Sequence, residues 1–347
     1  MAKKKGEETK IQPLDDQITS EFGDNILVSG NHITSTVKSV IPVSPALDVV
    51  LGGGIPVGSF VLLTGKHKIG KTVTSLTIAK NAQNPKYNDE LTPNGRMVYY
   101  INVEYRIKSR DLLGIHGLDL SEDKFKIIQS APGKILTAEE IMAISEKILN
   151  QCPGCVLIID SFSALCTADS YSADIKVQTR DSATNLLGKF CRRNANVIGV
   201  NQNLVIGITH IMANTGGSGM SLWSEASGTK IQYQCDVKLK GDYTQKWMSG
   251  ETQIGQDIFW SCPWSAIGPP GSKCASKLRY GYGLDKEMEL VQLCVDLGLI
   301  KRGGSWYTIG EEKFQGIDGV RELLMSKPEL YNDLNTQVRS MLGLCAI

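Results

Sequence analysis

No apolar run in this 347-residue chain approaches the ~20 residues that a membrane-spanning helix needs. The start, Met1-Ala2-Lys3-Lys4-Lys5-Gly6-Glu7-Glu8, is charged and has no apolar export core, so a cytoplasmic protein with no membrane partner is expected. Neither sign of charge is in excess. Lys and Arg number 37 against 36 Asp and Glu, a formal net charge of +1. A nucleic-acid binder of this balance must carry its basic groups locally. No second Cys or His pair stands at zinc-ligand spacing from Cys152-Pro153-Gly154-Cys155. That C-x-x-C therefore reads as a turn rather than a metal or dithiol site. Without an export signal, the nine cysteines read as reduced thiols. There is no internal repeat, and a hydrophobic content of 41% supports one large domain with small appendages.

What the chain does contain is a phosphate-binding loop in its required setting. Residues 65–72 read Gly65-Lys66-His67-Lys68-Ile69-Gly70-Lys71-Thr72, matching G-x-x-x-x-G-K-[ST]. The apolar run Phe60-Val61-Leu62-Leu63-Thr64 precedes it as a buried strand, and Val73 to Ala82 follows with helical composition. Strand, loop and helix together set backbone N–H groups around a phosphate at a helix N-terminus. Gly65 and Gly70 allow the wrap, Lys71 reaches the outer phosphates, and the Thr72 hydroxyl ligates Mg²⁺. The expected cofactors are thus ATP and Mg²⁺.

Three further strands complete the expected site. Val156-Leu157-Ile158-Ile159-Asp160 is an unbroken apolar strand ending in a carboxylate, suited to a parallel sheet covered on both faces. Asp160 falls where such sheets bind ligands and is expected to support the metal. Met97 to Asn102 leads to Val103-Glu104, and Glu104 is a candidate to activate or orient the attacking water. Val197-Ile198-Gly199-Val200 reads as a strand ending in Asn201-Gln202, which predicts Gln202 as the γ-phosphate sensor. Glu104, Lys71 and Gln202 are the expected catalytic residues.

Alternating strand and helix over residues 41–240 predicts a parallel sheet flanked by helices. Thr137-Ala138-Glu139-Glu140 is a capping box opening a helix with Ile141, Ile144 and Ile148 on one face. Ala183, Leu186, Leu187 and Phe190 mark another, from about 178 to 194. Period-two segments between about 231 and 281 predict antiparallel strands, and residues 286–347 read as short helices around a small core. Two polar segments, about 167–179 and 203–229, are too long for ordinary connections.

The ordered set of phosphate loop, Asn-Val-Glu-Tyr, Ile-Ile-Asp-Ser-Phe-Ser-Ala-Leu and Val-Asn-Gln resembles the RecA family of homologous-recombination ATPases. Pro42 to Gly58, Ser20-Glu21-Phe22-Gly23, Tyr280 to Asp285, Leu290 to Leu297 and Gly304-Ser305-Trp306-Tyr307 extend the resemblance over about residues 15–342. It implies an α/β P-loop NTPase core over 41–284. An N-terminal segment, 1–40, would oligomerise through a helix and the strand Ile26-Leu27-Val28. A small α-rich domain would occupy 285–347. It implies DNA-stimulated ATP hydrolysis, helical filaments on single-stranded DNA, and pairing and strand exchange with homologous double-stranded DNA. The two long segments match the loops that hold DNA in the family. Lys176 and Arg180 would then meet phosphates, and Ile206, Met212, Met220 and Trp223 would stack with bases. Other uses of the same core are a regulatory assembly protein and a ring helicase.

The chain departs from the family pattern in places. Lysines that reach a neighbour's ATP have no counterpart in Phe259-Trp260-Ser261-Cys262-Pro263-Trp264-Ser265, which leaves Lys273, Lys277 or Arg279 for that role. Lys66 and Lys68 add positive charge to the phosphate loop, and the acidic tail common in bacterial members is missing. Together these suggest a divergent bacterial or phage member.

Overall fold

The computed structural model describes residues 13–24, 26–35, 39–173, 183–213, 223–225 and 229–345. Residues up to Lys38 form one unit and Ser39–Ile347 another. The first holds the helices Leu14–Phe22 and Gly30–Ser35. Between them Ile26-Leu27-Val28 bends and does not make the expected strand.

The second unit is built on a ten-stranded sheet. Its parallel part runs, in spatial order, Val237–Ser249, Ser59–Gly65, Leu204–Ala213, Val156–Asp160, Val98–Asn102, Phe125–Ile128. Thr252–Trp264, Ser272–Arg279 and Gly283–Leu284 extend it antiparallel from the Val237–Ser249 edge. Trp223–Glu225 pairs with the far end of Leu204–Ala213.

Alternation in the strands divides the core. Val61, Leu63, Tyr100, Ile158 and Ile206 face one layer, where the helix Lys71–Ala82 packs through Leu76, Ile78 and Ala79. Phe60, Leu62, Ile101, Ile159 and Val205 face the other, under helices Ala138–Gln151 and Ala183–Val200. Both faces are covered, as apolar strands of this kind require. The capping box forms as expected: Glu140 N–H donates to Thr137 Oγ1 at 3.3 Å, and Thr137 N–H donates to Glu140 Oε2 at 3.0 Å. Gly154, at φ +76°, turns the Cys152–Cys155 segment into the Val156 strand, and both thiols are free. Period two does give antiparallel strands beyond residue 237.

The expected strand at Val197–Val200 is instead the last turn of the Ala183–Val200 helix. Leu187, Phe190, Cys191, Asn194 and Ile198 are buried at helical spacing, whereas Val200 is 81% exposed. Gln202, at φ +50°, then turns the chain, and the strand begins at Leu204. Part of the expected second loop, 203–229, is therefore central sheet. Gly207 belongs in that strand because a Cβ there would stand 1.9 Å from Phe162 Cε2.

The C-terminal region holds helices Lys286–Asp296, Gly316–Ser326 and Pro328–Met341 around their own core of Leu290, Val320, Leu324 and Val338. It also contains a three-stranded antiparallel sheet that the sequence reading omitted. Arg339 joins this region to the large sheet's flank. Its guanidinium meets Asp48 Oδ2 at 3.0 Å and donates to the Gly53 carbonyl at 2.5 Å.

Candidate active site

The parallel register brings the C-terminal ends of four strands level. Gly65 lies opposite His210 and Asn102 opposite Asp160. The loop after Gly65 crosses this edge and enters the helix at Lys71. Gly70, at φ +107°, holds a backbone conformation that residues with a side chain rarely adopt. Gln256 Nε2 donates to the Lys68 carbonyl at 3.4 Å, tying the loop to the antiparallel part of the sheet.

Lys71 is only 4% exposed and donates to the carbonyls of Gly65 and Lys66 at 2.9 and 2.7 Å. Burial pulls its ammonium down to about 8, against the opposing pull of Asp160 and Glu104. An anion beside it would reverse that shift, so the buried cation suits a phosphate. The Thr72 hydroxyl donates to Asp160 Oδ2 at 2.7 Å, and the Tyr100 hydroxyl to the same oxygen at 2.6 Å. Thr72 and Asp160 thus form the hydroxyl–carboxylate pair that a hard divalent cation takes.

Glu104 stands across the cavity mouth, held by three groups. Ser161 Oγ donates to Oε1 at 2.6 Å, His210 Nε2 lies 3.1 Å from the same oxygen, and Arg106 Nη1 lies 2.9 Å from Oε2. The His210 hydrogen bond, with lesser help from Ser161 and Arg106, brings this carboxyl down to about 2 in spite of burial. Glu104 is accordingly an acceptor for a water proton or for a donor, and never itself a donor near neutrality. The cavity has a volume of about 710 Å³ and continues from the loop to Arg110, Tyr280 and Gly281. That is large enough for a nucleotide.

A family model described as RecA N-terminal domain matches residues 10–285, and one described as RecA C-terminal domain matches residues 288–343. "Protein RecA" of Acholeplasma laidlawii is 26% identical over 327 residues, 93% of this chain and 94% of its own. "Protein RecA" of Streptococcus pneumoniae (strain Hungary19A-6) is 25% identical over 338 residues, 94% of this chain and 82% of its own. The chain belongs to the RecA family.

Within this RecA fold the expected site residues separate into two groups. Residues 67–72, Glu104 and Asp160 line one cavity, and Gly65 and Lys66 lead into it. Gln202 does not join them. Leu204 lies opposite Ser59, six strand residues before Gly65, so Gln202 sits at the other end of the sheet, roughly 20 Å away. There its carbonyl accepts from Arg96 at 2.7 Å. Its expected contact with the γ-phosphate is corrected on that ground. The position beside the loop belongs to His210, which the sequence reading missed. The signal was present: Leu204-Val205-Ile206-Gly207-Ile208 is an apolar run that turns polar at Thr209-His210, as the Val156 run does at Asp160.

Ile206, expected to meet DNA, is 0% exposed inside the sheet between the phosphate-loop strand and the Asp160 strand. A side chain there cannot stack on a base. Met212 and Trp223 fall on the paired backbone of Leu204–Ala213 and Trp223–Glu225. Lys176, Arg180 and Met220 lie outside the described residues. Two of the three cations considered for a trans contact are engaged within their own chain: Lys277 pairs with Asp257 at 3.1 Å, and Arg279 with Asp285 at 2.6 Å. Among the described residues no helix is long and apolar enough to cross a membrane, and no group of three or more His, Cys, Asp or Glu gathers as a metal site.

Proposed function

We propose that the protein is a DNA-dependent ATPase that assembles into filaments on single-stranded DNA and exchanges strands with homologous duplex. The observation that carries this reading is the convergence of the 65–72 loop, Thr72–Asp160 and Glu104 at one sheet edge, in a chain that matches both RecA domains.

The roles follow from the chemistry. Loop N–H groups and Lys71 bind the β- and γ-phosphates. Mg²⁺, held through Thr72 and Asp160, would neutralise phosphate charge. Glu104 accepts a hydrogen bond from water and orients it at the γ phosphorus. The water oxygen bonds to phosphorus, the bond to the β–γ bridging oxygen breaks with its electron pair on ADP, and the proton ends on the released phosphate. His210, rather than Gln202, senses the γ-phosphate. It contacts Glu104 directly, and its strand runs on through Ala213 toward the 214–222 segment. A change at the γ-phosphate therefore has a short covalent route to a segment that the family resemblance assigns to DNA.

The test is ATP hydrolysis with and without single-stranded DNA, with the same samples imaged by negative-stain electron microscopy. The expected result is DNA-stimulated turnover and long filaments, followed by homology-dependent joint molecules. Hydrolysis indifferent to DNA, or closed rings, would overturn the reading and leave only the nucleotide site.

A further inference from the structure

We propose that Arg106 is a further catalytic residue, one that leaves Glu104 to contact the γ-phosphate from within the same subunit. The inference rests on the nucleotide reading above.

The backbone aims Arg106 at the cavity. Its N–H donates to Asn102 Oδ1 at 3.1 Å, and Asn102 is itself buried and bonded to Gln129 at 2.9 Å. Tyr105, at φ +55°, folds the chain between Glu104 and Arg106 back on itself. Both side chains thereby line the nucleotide cavity. The base of Arg106 is thus fixed while its head is loose: the side chain is 70% exposed, though it pairs with the much less exposed Glu104. A solvated ion pair of this kind contributes little to stability, so little is lost when the guanidinium exchanges one anion for another.

The surroundings supply a reason for the exchange. His67, at the apex of the loop, is pushed down chiefly by burial, then by His210, Lys71, Lys68 and Arg106. The His67 ring lies 5.8 Å from that of His210, and Lys68, Lys71 and Arg106 line the same cavity, so positive charge gathers at the end of the site where the γ-phosphate would lie. A planar guanidinium suits phosphate oxygens, and charge building on the γ-phosphoryl group draws it more strongly than a single carboxylate does. Leaving Glu104 also frees that carboxylate's second oxygen to accept from the attacking water.

Binding of ADP and of ATPγS, measured by titration calorimetry in Mg²⁺, isolates the γ-phosphate. For Arg106→Ala the expected loss is roughly tenfold to a hundredfold for ATPγS and within about twofold for ADP, with a larger fall in kcat. Arg106→Lys should recover part of the ATPγS affinity. The same comparison in a Glu104→Gln background separates direct from indirect action. A contact with nucleotide keeps the ATPγS loss there, whereas an effect through Glu104 alone would abolish it and overturn the proposal. Equal loss for both nucleotides, or none, would also overturn it. Wild-type protein that binds neither nucleotide would instead sink the nucleotide reading, and this proposal with it.

Discussion

Glu104 and Asp48 each face an arginine, yet their surroundings drive them in opposite directions. Glu104, at the cavity mouth, is brought down to about 2 because His210 and Ser161 hydrogen-bond to it and Arg106 pairs with it. Asp48, enclosed where the C-terminal region meets the large sheet, is pushed up to about 7 because burial outweighs Arg339 and the Val43 N–H. Nearby Glu289, accepting from the Ala46 and Lys277 N–H groups, is pushed up to about 7 by burial as well. The contrast teaches what a charge is kept for. At the cavity, donors hold a carboxylate ionised and ready to accept. At the joint, the same chemistry is enclosed to lock one region onto another, and the enclosure costs much of what the pairing gains.

The sharpest way to break the comparison is at the joint. Arg339→Ala leaves Asp48 buried without its cation and the Gly53 and Cys345 carbonyls without a donor. We expect a loss of about 3–5 kcal/mol, measured by urea unfolding. A cut this deep at a solvated pair would be out of place, so a similar loss from Arg106→Ala would erase the distinction.

Next in size is Glu104→Gln. It keeps the shape and removes the charge, so hydrolysis should fall at least about a hundredfold in a single-turnover assay. The sign of the pH effect is fixed by the downward shift. Glu104's contribution to folding is complete above about 4.5 and drains away as pH falls toward 2. Asp48 runs the other way: because its carboxyl is raised, stability is greatest below its ordinary 3.8 and declines as pH rises toward about 7.

The smallest effect sharpens the comparison within the cavity itself. Burial moves Lys71 toward neutrality, as it does Asp48, but here a ligand can undo the shift. Below about 8 the enclosed ammonium weighs against the fold, and the cost disappears as pH rises to 10.5. A phosphate raises the group again. Nucleotide binding at about pH 9 should therefore take up ~1 proton, and almost none near pH 7, read by calorimetry in buffers of different ionisation heat. Uptake that does not change with pH would mean Lys71 stays charged without a ligand.

Several elements were legible because one physical cause acts over a few consecutive residues. Phe60–Leu63 and Val156–Ile159 are apolar throughout, as strands buried on both faces must be, and the first runs into the phosphate loop while the second runs into Asp160. The Thr137 capping box marks a helix start within four residues. Val197–Val200 suggests a strand by itself because a short apolar run fits a helix end as well as a strand. Its assignment depended on the stripe behind it and on Leu204–Ile208 taking the sheet position instead. The C-terminal sheet escaped notice because its strands are only three or four residues long and mostly exposed.

The sequence by itself determined the phosphate loop, Lys71, Thr72 and the strand-end Asp160, because their spacing is local and each residue acts through its own backbone neighbours. Only the tertiary structure decided that His210, not Gln202, stands beside Gly65, and that Ser161, His210 and Arg106 share Glu104. The His210 contacts depend on the register between parallel strands more than a hundred residues apart. That register is set by how side chains from distant segments fill the two core layers, and no short window of sequence contains it.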